Sequence, residues 1–204
     1  MNASSEEFDA VIVGARCAGA ATALLMARAG LRVLVVDRTH PSRDTLSTHA
    51  LMRAGVLQLS RWGLLPRIVA AGTPPVTAIT FHYGDRAETL QLTEPLYAPR
   101  RMVLDTVLLS AAQEAGAQAR FGVDVTQLRR DRSGRVTGVL ARLRGGEAVA
   151  FRAPLTIGAD GCARRWPGWP QHRRCAEAAR RARSWTATGR ARRRRATTGS
   201  TGPG

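Results

Sequence analysis

The stretch that most constrains the fold is residues 9–38, DAVIVGARCAGAATALLMARAGLRVLVVDR, which reads as a strand, a helix and a second strand built to hold a nucleotide. Val11, Ile12 and Val13 form a short apolar run bounded by glycine, the pattern of a strand buried on both faces. A tight turn follows at Gly14. Residues 18–29 are small or apolar, with bulk from Leu24, Leu25 and Met26 and no proline, so a helix packed closely on a sheet is expected, ended by Gly30. Residues 31–36 are rich in valine and form the second strand, and Asp37 then places a carboxylate where a parallel strand opens into its ligand crevice.

The spacing has a chemical reason. Glycine at 14 permits a turn that a Cβ resists, and Gly19 lets the helix lie close to the strand. The free N–H groups and positive dipole end of the helix then suit a diphosphate, while an acid about 20 residues further on accepts from ribose hydroxyls. Asp37 lies at that distance, and Gly14, Ala15, Arg16, Cys17, Gly19 and Asp37 become the candidate nucleotide contacts. Arg16 stands where the G-x-G-x-x-G pattern has its second glycine. Its side chain either crowds the diphosphate or pairs with it through the guanidinium, and pairing is the expectation.

Taken together, these residues resemble the FAD-binding N-terminus of flavoprotein monooxygenases of the p-hydroxybenzoate hydroxylase type and of their geranylgeranyl reductase-like relatives. A subgroup of these carries GARCAG where GAGPAG is usual. The resemblance continues through DTLSTH at 44–49, RRMVLD at 100–105 and IGADG at 157–161, and covers the chain to about residue 161. It implies an α/β, Rossmann-like FAD-binding fold of the glutathione reductase type with a β-meander. FAD is the implied cofactor and NADPH or NADH the implied electron donor. The implied chemistry is reduction of the flavin, reaction with oxygen and hydroxylation of a small organic substrate; the alternatives are a reductase or dehydrogenase of the same fold and, from the arginine-rich tail, a non-catalytic nucleic-acid binder.

The resemblance also assigns roles. Arg38 and Arg43 match arginines that contact the adenosine or diphosphate, with solvated loop arginines as the plainer reading. Arg101 with Leu104 matches an R-x-x-L pattern that brings an arginine to the flavin from the first turn of a helix. Asp160 and Gly161 match an A-D-G segment near the diphosphate. His49, in a segment placed near the isoalloxazine, is either a ring contact or a packed residue at a helix start. No catalytic acid, base or nucleophile is named, because the sequence offers no paired carboxylates, triad or metal cluster.

Between these motifs the chain alternates helices and strands. Residues 46–59 carry leucine and alanine at helical spacing after a polar loop that Asp44 or Thr45 would cap, and residues 64–71 read as another turn or two. After Pro74 and Pro75 the segment VTAITFHYG alternates as a strand, turns at Gly84 and Asp85, and pairs back through residues 89–93. By resemblance, residues 74–98 begin a substrate-facing sheet. Residues 101–115 place Val103, Leu104, Val107, Leu108, Ala111 and Ala112 on one helical face, closed by Gly116. Residues 118–160 read as short strands with two glycine turns, a β-meander, and end in the strand PLTIGAD.

All 31 basic residues are arginine. Up to Gly161 there are 19 of them against 14 acids, and beyond it 12 against Glu177 alone, so most of the net charge of +16 belongs to residues 162–204. That segment has no Val, Ile, Leu, Met or Phe, and disorder is expected of it. Its arginine runs with Trp166, Trp169 and Trp185 suit nonspecific nucleic-acid contact. The abrupt change after a well-formed A-D-G is also what a GC-rich gene yields when read out of frame, which is the preferred reading, and the flavin site is then partial. No long uncharged apolar run and no basic leader are present, so neither a membrane span nor a secretory signal is expected. Cys17, Cys162 and Cys175 form no even framework, and a reducing cytoplasm is the default.

Overall fold

The computed structural model describes residues 6–40 and 50–161 of the chain. The nucleotide-type unit forms as its sequence dictates: β1 (Ala10–Val13), α1 (Cys17–Arg28) and β2 (Val33–Asp37). β1 and β2 pair in parallel with Ile12 opposite Val35, and every residue of β1 is buried. Two short helices follow, α2 (Arg53–Arg61) and α3 (Leu65–Ala70). Next come an antiparallel hairpin, β3 (Pro75–Tyr83) with β4 (Arg86–Tyr97), and the long helix α4 (Arg101–Glu114). The chain then forms β5 (Gln118–Phe121), β6 (Val123–Arg130), β7 (Val136–Leu143), β8 (Ala148–Arg152) and β9 (Leu155–Gly158).

Three sheets result: a parallel one in the order β5-β2-β1-β9, the β3-β4 hairpin, and the antiparallel meander β6-β7-β8. This is the α/β, Rossmann-like arrangement with a meander that the resemblance implies. Burial explains the layering. α1 buries Ala20, Ala23, Leu24 and Ala27, a stripe at three- and four-residue spacing, so small side chains let it lie close to the sheet and to α4. Ile12, Val33 and Val35 join that core, while Val11, Leu34 and Val36, at the alternate positions of the same strands, are as fully buried on the opposite face of the sheet. Each such leucine or isoleucine contributes roughly 1.5–3 kcal/mol by leaving water.

Two expectations are corrected here. Residues 118–121 are not part of the meander: β5 pairs in parallel with β2, with Val35 opposite Ala119, so the segment from β2 through α4 to β5 is a crossover within the parallel sheet. The helical spacing expected from residue 46 also fails at Leu51, whose N–H donates to the Tyr97 carbonyl at 2.7 Å in an antiparallel bridge. That bond holds Leu51 extended, and the helix starts at Arg53. Arg43, Asp44, Thr45 and His49 lie outside the described residues, as does the arginine-rich segment 162–204. Among the described residues, no helix is long and apolar enough to cross a membrane.

Candidate cofactor site

The candidate residues gather at one edge of the parallel sheet because β1, β2 and β9 run in register. Val13 lies opposite Val36 on one side and Gly158 on the other, so the three strands end together. Gly14 donates its N–H to the Val36 carbonyl at 2.8 Å, and Ala159 donates to the Val13 carbonyl at 2.7 Å. The glycine turn after β1 and the Ala159-Asp160 segment after β9 are therefore packed on one another.

That packing requires glycine. Gly14 has φ +107, and a Cβ on it would stand 2.5 Å from the Ala159 carbonyl oxygen. A Cβ on Gly19 would overlap the Gly14 carbonyl oxygen outright. Without a side chain at either position, the first turn of α1 closes directly onto the ends of β1 and β9. Ala15 is buried within the turn. Asp160 is half-buried and Gly161, with φ +87, is exposed.

Asp37 closes the end of β2. Its Oδ2 accepts from the Ala15 N–H at 2.9 Å, and its Oδ1 accepts from the Thr39 N–H at 2.9 Å and the Thr39 hydroxyl at 3.0 Å. The carboxylate is thus held against the turn by the chain itself, and lone pairs beyond those three bonds remain to it. Arg38 is exposed at the bend that follows.

The first turn of α1 leads to a residue that sequence reasoning passed over. Asp105 is fully buried on α4. Its Oδ1 accepts from the Cys17 N–H at 3.0 Å and from the Cys17 thiol at 2.8 Å. Arg101, one turn earlier on α4, donates through Nη2 to Oδ1 at 3.2 Å and Oδ2 at 3.3 Å. Arg16 Nη1 stands 3.8 Å from Oδ2. Arg16, Cys17 and Arg101 were all candidates; Asp105 is what joins them. Its signal was present in the sequence as an acid on an otherwise apolar helical face, four residues after an arginine.

The electrostatics follow from that carboxylate. A cysteine at a helix N-terminus is ordinarily acidified. Cys17 goes the other way: burial, then the hydrogen bond to Asp105 and its negative charge, push the thiol up to about 12. Cys17 is a proton donor at neutral pH. Arg101 at the first position of α4 opposes the helix dipole, and Asp105 offsets that cost.

The donor set fits the anionic part of a dinucleotide cofactor. The N-cap residue of α1, Arg16, offers no side-chain cap, and the first turn carries no acid. Arg101 Nε is buried with no hydrogen-bond partner among the described residues. Among the described residues, no group of three or more His, Cys, Asp or Glu is placed to hold a metal ion.

Comparison with known proteins agrees with this chemistry. A family model described as FAD binding domain matches residues 7–166. Among curated relatives, the probable electron transfer flavoprotein-quinone oxidoreductase YdiS of Escherichia coli strain K12 is 34% identical over 166 residues, covering 78% of this chain and 37% of the relative. Aklavinone 12-hydroxylase RdmE of Streptomyces purpurascens is 30% identical over 180 residues, covering 78% and 34%. The chain thus spans little more than a third of the length of these relatives. The structure of the myxobacterial chondrochloren halogenase CndH, an FAD-dependent halogenase, superposes with a TM-score of 0.72 at 25% identity over 79% of this chain and 39% of that one. A geranylgeranyl bacteriochlorophyll reductase-like protein from Thermoplasma acidophilum shares the fold, with a TM-score of 0.67 at 23% identity over 82% and 43%.

Proposed function

Because the chain belongs to the FAD-binding domain family, we propose that it forms the FAD-holding part of a flavoprotein monooxygenase that hydroxylates a small organic substrate with electrons from NADPH or NADH. The observation that carries the reading is the meeting of Gly14 and Ala159 at the ends of β1 and β9, beside the first turn of α1, to which Asp105 ties an arginine whose Nε has no hydrogen-bond partner among the described residues. Bound FAD would supply the redox chemistry with oxygen.

The residues of the chain have binding and orienting roles in this reading. Gly14, Ala15 and Gly19 keep the turn thin enough for a diphosphate to approach backbone N–H groups. Arg16, Arg38 and Arg101 balance the negative charge of the cofactor. Asp37, fixed by Ala15 and Thr39, accepts from ribose hydroxyls with its remaining lone pairs. Cys17 anchors the turn through Asp105, and Asp160, two residues past the end of β9, borders the site.

The direct experiment is a visible absorption spectrum of the purified 204-residue chain, followed by FAD titration. Flavin bound on purification or taken up on titration supports the reading. A folded chain that retains no flavin once excess FAD has been added and the unbound cofactor removed overturns it.

A flavin-dependent reductase or dehydrogenase is the second reading. It is favoured by the name of the quinone oxidoreductase relative and by the reductase-like structure that shares the fold. Oxygen uptake with incorporation of an oxygen atom into product separates the two: a monooxygenase shows both, whereas a reductase converts its substrate without incorporation.

A further inference from the structure

Asp105 is the one charged residue that is buried among the described residues, and an apolar side chain of similar volume would complete the α4 core face without its desolvation cost. What the carboxylate adds is a link. Its Oδ1 receives both Cys17 donors, from the first turn of α1, and both of its oxygens receive Arg101 Nη2, from the first turn of α4. These two turns carry residues assigned above to the cofactor. The Arg101 guanidinium is thereby fixed while its Nε stays buried and unbonded among the described residues.

We propose that Asp105 is a positioning residue, locking the Arg101 guanidinium to the first turn of α1 so that Arg101 Nε is held ready for an acceptor on a dinucleotide cofactor. Beyond burial, the same lock takes the Cys17 thiol proton in a hydrogen bond to Asp105 and so favours the thiol form, with Asp105, Arg101 and Arg16 as the charged groups around it. The cofactor half of this inference rests on the FAD reading above. The thiol half does not.

The test uses the full chain, Asp105→Asn and Arg101→Lys, each checked for folding by circular dichroism. FAD is titrated into each, and the alkylation rate of Cys17 against pH is followed at the level of its own peptide by mass spectrometry. Asp105→Asn is expected to weaken FAD binding by about tenfold or more, the worth of a hydrogen bond to a charged group, and to move the Cys17 profile to lower pH. Arg101→Lys keeps a cation for Asp105 and removes Nε; it is expected to lose a similar factor in FAD affinity and judges the proposal if Asp105→Asn does not fold. Wild-type FAD affinity in either folded variant overturns the positioning role. If the wild-type chain takes up no FAD, the functional reading fails and the cofactor half with it. The thiol profile then decides the lock: a shift in Asp105→Asn supports it, and an unchanged profile overturns it.

Discussion

Gly14 and Ala159 are in such close contact that a single added carbon on Gly14 would stand 2.5 Å from the Ala159 carbonyl oxygen. The contact is backbone against backbone, so no side-chain rotation relieves it. Gly14→Ala is therefore expected to cost about 3 kcal/mol, combining the clash with an unfavourable positive φ. Gly30 is the control: its φ is +81 and a Cβ there meets nothing within 4 Å, so Gly30→Ala should cost about 1 kcal/mol from the backbone alone. Urea denaturation of both variants decides the matter. Equal losses would mean that the close approach to β9 contributes nothing.

The Cys17 thiol gives a pH dependence with a definite sign. Its ordinary value of 9.0 is raised to about 12 by burial, then by the hydrogen bond and charge of Asp105, so the folded state holds the proton more tightly than the unfolded state. That contribution to stability is complete below about pH 9 and is lost as pH rises toward about 12. Cys17→Ser keeps a donor for Asp105 that does not titrate in this range. The stability of wild type relative to Cys17→Ser should thus fall across the window. A difference that stays flat from neutral to strongly alkaline pH would show that the thiol does not donate to Asp105.

What was legible in the sequence was local. Gly14, Gly19 and the apolar runs around them announce the β1-α1-β2 unit because strand, turn and helix preferences act over a few residues. The hairpin of β3 and β4 and the turns of the meander were legible for the same reason. The corrections came where a distant partner decides. Ala119 reads as a meander residue until Val35 pairs with it, and Leu51 reads as helical until the Tyr97 carbonyl takes its N–H. Asp105 is the clearest case, because its burial makes sense only with Cys17 and Arg16 brought from far up the chain to join Arg101 at the carboxylate.

Removing Arg101 tests how far the buried carboxylate depends on it. Arg101→Ala leaves Asp105, with no exposed surface, to Cys17 and the more distant Arg16. Breaking a buried pair from one side costs about 3–5 kcal/mol, and the lower end applies here because two Cys17 donors remain. In an Asp105→Asn background the same substitution should cost clearly less, since no charge is then stranded. A denaturant double-mutant cycle with no coupling between the two positions would contradict the ion pair as a unit.

Arg67 and Glu114 make the same chemical pair in a different setting. The guanidinium and carboxylate meet through two bonds of 2.8 and 2.9 Å between α3 and α4, with 39% and 62% of the side chains exposed. Water solvates both charges when they separate, so Glu114→Gln is expected to cost less than about 1 kcal/mol. About 1 M salt should erase most of that difference, because the screening length there is roughly 3 Å. The Arg101→Ala loss should persist under the same salt, since Asp105 is out of reach of the solvent ions. If Glu114→Gln proved as costly and as salt-resistant as Arg101→Ala, burial would not be what distinguishes the two pairs, and the argument that Asp105 holds the first turns of α1 and α4 together would lose its physical basis.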